Sequence, residues 1–370
     1  MSTISWTETN TTHTARWHSE SGASPRAVIS AGDRMNADSA HRLACEGTAL
    51  LWRGDFQNAR ALLQAMRRRV ARKPPPSGKT PAESFHLHRR ARGHRALVLG
   101  KLLVLLDDGY RLDLRRAPEV RAACLDAYGP AGTPMAVSLT ELLGVIGAHQ
   151  WRVNGVPIPA LGAAIHPHYG VFSPVRGEYI DLVAQTPLPA GSRTAFDLGT
   201  GTGVLAAVLA RRGVERIVAT DISPRALVCA RDNVGRLGLA EQVEVVGPGL
   251  FPDGRADLVV CNPPWIPARP SSAVEHGVYD QGSGMLRAFL AGLTAHLEPG
   301  GEGWLILSDL AEHLGLRTRG ELLAAIEEAG LRVLGRADTK PEHPRVRDAT
   351  DPLHAARAAE VTSLWRLAPA

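Results

Sequence analysis

Two observations predict an α/β protein whose carboxy-terminal part carries a mostly parallel sheet and whose amino-terminal part is mainly helical. From Thr194 onward, short apolar runs alternate with amphipathic stretches, the pattern of strands joined by crossover helices that cover both faces of a sheet. Earlier in the chain, Leu43, Leu50, Leu51, Phe56, Leu62, Leu63 and Met66 recur at helical spacing between Ala40 and Arg72. A length of 370 residues gives room for two cores.

Taken in order, residues 1–38 are polar and rich in Ser, Thr and His and are expected to be a disordered tail. They lack the basic start and apolar centre of a secretory leader. Residues 39–155 are expected to form a helical substrate-recognition domain. Its first helical block is followed by a Pro-Gly linker at Lys73–Lys79, a second block over Pro81–Leu106 and shorter pieces towards Trp151. The apolar run Leu97–Leu106 includes Lys101 and falls far short of the roughly 20 residues of a membrane span. The stretch "GVPIPALGAAIHPHYG", residues 155–170, is too rich in Pro and Gly for regular structure and is expected to be a hinge. Residues 156–370 complete the second domain.

There, strands are expected at Thr194–Leu198, Arg216–Asp221, Val243–Val246, Leu258–Cys261, Gly303–Ser308, Leu331–Gly335 and Val361–Leu367. Helices are expected at Val204–Arg212, Pro224–Leu237, Met285–Leu297 and Glu321–Ala329. The last two strands have a long loop rather than a helix between them, which departs from simple alternation.

The net charge of +5 hides an asymmetry. Through Ile165 there are 22 Lys and Arg against 13 Asp and Glu, and the rest of the chain has 20 against 24. Between Arg60 and Lys101, 12 basic residues meet the single acid Glu83. Such a block is either a solvated helical face or a docking surface for an acidic partner such as RNA or a ribosome. The cysteines Cys45, Cys124, Cys229 and Cys261 are scattered, so neither a disulfide framework nor a metal site is expected, and a cytoplasmic location fits.

"FDLGTGTGVLA", Phe196–Ala206, places an acid and three glycines between a strand and a helix. Gly199, Gly201 and Gly203 permit positive φ and close approach of the backbone to a ligand. Asp221 ends the next strand, 18 residues after Gly203, where a carboxylate accepts both hydroxyls of a ribose. A nicotinamide dinucleotide satisfies these two features as well. The G-x-G-x-G spacing and Asp197, two residues before the first glycine, favour a ligand with a cationic amino-acid end over a pyrophosphate.

The fourth strand runs into "VVCNPPW", Val259–Trp265. A planar amide or exocyclic amine is a poor nucleophile because its lone pair is delocalised. If the Asn262 side-chain oxygen and the Pro263 carbonyl accept both N–H hydrogens, the nitrogen is fixed and the charge developing on it is stabilised. Pro263 and Pro264 stiffen the turn, and Trp265 offers a ring for stacking. Alone, Asn-Pro-Pro is also a common way to end a strand. Hydroxyl or carboxyl chemistry would use a base instead; His166, His168 and His276 read more simply as loop or hinge histidines.

With these motifs, residues 170–310 resemble a class I methyltransferase of the branch that holds the HemK-type glutamine methyltransferases and the "small" ribosomal RNA guanine methyltransferases. The resemblance implies a Rossmann-like seven-stranded domain, mostly parallel with its last strand antiparallel, whose cofactor is S-adenosylmethionine (SAM). It further implies that Asp197, Gly199, Thr200, Gly201 and Gly203 line the methionine and ribose portions, that Asp221 holds the ribose and that Asn262 borders the cofactor. The chain departs from the family twice. Gly249 of "PGLF" stands where an adenine-binding Asp is usual, and "SPVRGE", Ser173–Glu178, replaces the Arg-Pro-Glu-Thr-like stretch. Tyr169, Phe172 and Pro174 either close the pocket or pack on the sheet edge.

The expected function is therefore SAM-dependent methylation of a planar nitrogen, in a protein glutamine or an RNA or DNA base. Alternatives are a small-molecule methyltransferase of secondary metabolism, a non-catalytic SAM-binding scaffold suggested by Gly249, and a dinucleotide-dependent oxidoreductase.

Overall fold

The computed structural model describes residues 2–20, 22–72, 75–272, 274–342, 346, 348–349 and 351–370. The chain divides into two compact units, one of Met1–Ser77 with His86–Gln150 and one of Gly78–Phe85 with Trp151–Ala370.

The first unit is built on β1 (Thr3–Glu8), β2 (Thr11–Trp17), β3 (Ala27–Ala31), α1 (Ala37–Cys45), β4 (Thr48–Trp52), α2 (Phe56–Ala71), α3 (Pro81–Leu99), β5 (Leu102–Leu106), α4 (Arg121–Tyr128), β6 (Met135–Ser138) and α5 (Leu139–Asn154). Its strands form one six-stranded mixed sheet in the order β1-β2-β6-β5-β4-β3. Two expectations are corrected here. The described residues of the 1–38 tail are largely ordered: β1 and β2 make a hairpin through Thr9 and Asn10, both at positive φ, as tight two-residue hairpin turns require. Ile4, Trp6 and Ala15 are buried beneath it. The polar composition that suggested disorder is that of a half-exposed sheet rich in Thr.

The unit is also not made of helices alone: beside α1, α2, α3, α4 and α5 it carries the six-stranded sheet. Leu50 and Leu51 lie on β4, and the Leu97–Leu106 run breaks into the end of α3 and all of β5. "TALLW" and "LLVLL" are almost wholly buried. A short run apolar on every position has no period that separates strand from helix. Of the expected linker and basic block, Lys73 and Pro74 lie outside the described residues.

The second unit comprises β7 (Val156–Ile158), β8 (Ala163–Ile165), α6 (Glu178–Gln185), β9 (Thr194–Leu198), α7 (Val204–Arg211), β10 (Arg216–Thr220), α8 (Pro224–Arg236), β11 (Val243–Val246), β12 (Ala256–Cys261), α9 (Gly284–His296), β13 (Leu297–Ser308), α10 (Leu310–His313), α11 (Arg319–Glu328), β14 (Leu331–Thr339), α12 (His354–Ala359) and β15 (Thr362–Pro369). The expected hinge is regular after all: β7 and β8 pair as an antiparallel hairpin, with a short 3₁₀ turn between them.

Seven strands form the main sheet in the order β11-β10-β9-β12-β13-β15-β14, and β15 alone runs against its neighbours. Side chains alternate between the two faces. Leu258, Val260, Trp304 and Ile306 enter one core, and Phe196, Leu198, Val259 and Leu305 enter the other, so both faces are covered by helices. After β9 the chain steps outward to β10 and β11, then returns to β12 on the other side of β9. That reversal opens a crevice beyond the carboxyl ends of β9 and β12. Among the described residues, no helix is long and apolar enough to cross a membrane.

Candidate functional site

Both predicted motifs leave the sheet at this reversal. In the β9–β12 pairing Leu198 lies opposite Cys261, so Gly199 and Asn262 are the next residues beyond the same row. The glycines have separate tasks. Gly203, at φ 82°, opens α7 against α8, where an added Cβ would meet the Ala230 backbone at 3.3 Å. A Cβ on Gly199 would meet the end of Met285 at 2.4 Å, whereas one on Gly201 would point into open space.

Two carboxylates flank this loop. Asp197 is buried, and its Oδ2 accepts the Thr200 hydroxyl at 2.6 Å and the Ala206 N–H at 3.0 Å. Burial pushes its carboxyl up to about 6, and the nearby Asp221 adds to the shift. Asp221 accepts the N–H of Gly201 on one oxygen, at 3.0 Å, and that of Ser223 on the other, at 2.8 Å. Burial raises its carboxyl too. Thr200 donates its N–H to the Thr220 carbonyl at 2.8 Å, which ties the loop to β10.

Gly249 donates its N–H to the Asp221 carbonyl at 3.2 Å, so this turn reaches the site with backbone alone. The arrangement suits a ligand with a cation at one end and vicinal hydroxyls at the other. An ammonium relieves the unpaired charge on Asp197, the Asp221 carboxylate has lone-pair capacity left beyond its loop N–H groups, and the space over Gly201 is open.

On the acceptor side, Pro263 is buried and Asn262, Pro264 and Trp265 are half-buried. The Trp265 indole N–H donates to Asn262 Oδ1 at 2.8 Å. This fixes which end of the amide carries oxygen and leaves that oxygen a second lone pair. The Arg176 guanidinium carbon lies 5.1 Å from the centre of the Trp265 ring, in cation–π range. Trp265, expected as a stacking platform, thus has one ring face already occupied and its N–H spent on Asn262.

The histidines are placed structurally. His166 Nδ1 lies 2.7 Å from the Arg152 carbonyl, and its main chain bonds the Asn233 amide. His168 Nε2 lies 3.1 Å from Asp232 Oδ2. His276 sits on a 3₁₀ turn, Val274–Gly277, whose Gly277 backbone lies close against Phe172. Tyr169 stacks under Arg225 of α8, and Pro174 is buried. The link between Arg176, Ser308 and Glu360 escaped the sequence analysis, which noted Arg176 only within "SPVRGE", because Glu360 is 184 residues from Arg176 and no motif connects them. Among the described residues no group of three or more His, Cys, Asp or Glu could hold a metal ion.

Residues 163–319 match the family model of the methyltransferase small domain. A release factor glutamine methyltransferase of Cereibacter sphaeroides is 35% identical over 153 residues, which covers 37% of this chain and 52% of that protein. A second, from Gloeobacter violaceus, is 37% identical over 174 residues, 42% of this chain and 58% of that one. A ribosomal protein L11 methyltransferase of Pelotomaculum thermopropionicum is 38% identical over 145 residues, 39% of each chain. The chain spans about half the length of the release factor relatives. The matched part is a class I methyltransferase domain of the HemK-type branch, and its cofactor is SAM.

Proposed function

We propose that the protein transfers a methyl group from SAM to a planar amide or exocyclic amino nitrogen of a macromolecule. The observation that carries this reading is Asn262 at the carboxyl end of β12, its amide oriented by Trp265, level with Gly199 beyond the Leu198–Cys261 pair. SAM supplies an electrophilic methyl group. The residues of the chain do the rest. Asp197 faces the cationic end of the cofactor, Asp221 takes the ribose hydroxyls, and Gly199, Thr200, Gly201 and Gly203 let the backbone approach it.

Asn262 Oδ1, through its remaining lone pair, and the Pro263 carbonyl receive the two N–H groups of the acceptor. Those contacts strengthen as positive charge develops on nitrogen, so they stabilise the transition state more than the ground state. The rigid Pro263–Pro264 turn keeps the ordering cost low.

A protein glutamine is the acceptor we favour, because the relatives of this domain are named for protein acceptors. A nucleic-acid base amine fits the same contacts. The test is incubation of the protein with methyl-tritiated SAM and a total cell extract, followed by protease or nuclease. Label released by protease supports a protein amide, and label released by nuclease moves the acceptor to a base. Label confined to small molecules overturns the macromolecular reading. Gly249 favours a second reading, a SAM-binding scaffold without turnover; calorimetric SAM binding with no label in any fraction would establish it.

A further inference from the structure

The carboxyl edge of the sheet carries a second set of polar groups beyond the cofactor loop. β12, β13 and β15 are neighbours, with β15 antiparallel, so the end of β13 and the start of β15 meet beside the exit of Asn262. Ser308, the last residue of β13, donates its hydroxyl to Glu360 Oε1 at 2.7 Å. The same oxygen receives Arg176 Nη2 at 3.1 Å. Arg176 Nε donates to Glu178 Oε1 at 2.7 Å, and its guanidinium covers Trp265, whose indole N–H holds Asn262.

Glu360 is 1% exposed. Its other oxygen, Oε2, is buried with no hydrogen-bond partner among the described residues. A carboxylate kept in that state is costly unless its charge is matched, and the cation that matches it is the one lying on Trp265.

We propose that Arg176, anchored by Glu360, is the positioning residue for the acceptor end of the site. It holds the Trp265 ring so that the indole N–H occupies one lone pair of Asn262 Oδ1 and leaves the other for the acceptor N–H. The apolar clusters that Trp265 also packs against do not fix its indole N–H; without Arg176 one ring face is uncovered, the indole hydrogen bond loosens, and the amide of Asn262 can flip to present N–H groups where an acceptor is needed. The loop around Gly201 and Asp221 lies on the other side of β9 and is untouched. Arg176 and Glu360 are therefore expected to control turnover and not cofactor affinity. This inference rests on the proposed nitrogen methylation only for its effect on turnover; the geometric claim stands without it.

The experiment uses the full chain as wild type, Arg176→Met, Arg176→Lys and Glu360→Gln, with three readouts. The first is the Trp265 indole 15N–1H resonance, assigned by Trp265→Phe. Its hydrogen exchange with water is expected to be slow in the wild type and to speed up on the order of tenfold in Arg176→Met and in Glu360→Gln, with Arg176→Lys in between. The second is calorimetric affinity for S-adenosylhomocysteine, expected to stay within about twofold in all four proteins, which also reports that the variants fold. The third is the rate of tritium transfer from SAM to the extract, expected to fall on the order of 10²-fold in Arg176→Met, as a misplaced contact group costs, with part regained in Arg176→Lys.

Unchanged indole exchange in Arg176→Met overturns the proposal. So does a loss of S-adenosylhomocysteine affinity that parallels the loss of turnover, the mark of general unfolding. If the wild type transfers no label, nitrogen methylation fails while the indole and affinity readouts still decide the positioning claim.

Discussion

Asp197 is the residue whose chemistry is most open to test. Its carboxyl titrates near 6 because it is buried beside Asp221, so in the folded chain it holds its proton more tightly than in the unfolded one. On its own it therefore lowers stability as pH rises from the ordinary carboxylate range through about 6. A bound ammonium reverses that preference. S-adenosylhomocysteine should bind with full affinity above about pH 6 and progressively more weakly below it, at up to roughly tenfold per pH unit. Calorimetry between pH 5 and 8 checks this, and Asp197→Asn should bind weakly throughout. A flat profile in the wild type means that the cation lies elsewhere.

Asp221 accepts two loop N–H groups as well as serving the ribose, so Asp221→Ala should weaken SAM affinity by on the order of 10-fold or more. Unchanged affinity would remove the ribose from this carboxylate. Asp197, Asp221 and the three glycines were legible in the sequence because their chemistry depends on a local motif and a strand-to-strand offset. Arg176 and Glu360 were not, since a pairing between distant positions leaves no local pattern.

At the scale of elements, the glycine loop is set by backbone geometry more than by side chains. Gly203 combines φ 82° with a close approach to α8, where a Cβ would lie 3.3 Å from the Ala230 backbone. Gly203→Val should cost on the order of 1–3 kcal/mol of stability and abolish SAM binding. Thermal unfolding and calorimetry measure the two effects, and a variant of wild-type stability would show that α7 can shift away from α8. Strands β9, β10, β11 and β12 fall within two residues of where hydrophobic patterning places them, because each is a short apolar-rich run that ends at a turn-forming residue, Gly199, Asp221, Gly247 or Asn262. The same patterning failed at β4 and β5. There the buried runs lie next to true helices, and a continuous list of leucines joins strand and helix without a visible boundary. The β1–β2 hairpin was missed for the opposite reason: with one face in water, its Thr-rich strands carry too few apolar residues to stand out.

At the scale of the molecule, the two units differ in charge. The basic excess belongs to the part before the methyltransferase domain, where Arg90, Arg92 and Arg95 of α3 are exposed. If that face guides an acidic acceptor to the enzyme, raising salt from about 0.05 M to about 0.2 M should cut label transfer to the extract steeply and leave SAM affinity nearly constant. The double variant Arg90→Glu with Arg95→Glu should lower transfer at low salt and flatten the salt dependence. Equal salt sensitivity in wild type and variant would mean that the basic face is only a solvated surface. The fold of the first unit gave no hint of its role, since a six-stranded sheet with flanking helices serves many functions.

The central claim is that Asn262 selects and activates a planar nitrogen on a domain that binds SAM through a separate set of residues. The most direct measurement is the single-turnover rate of tritium transfer by Asn262→Ala at saturating SAM, with SAM affinity measured on the same sample. The account predicts a rate at least about 10³-fold below wild type, the scale of losing a transition-state hydrogen-bond acceptor in a preorganised site, with affinity within about threefold. Transfer by Asn262→Ala at the wild-type rate would contradict it.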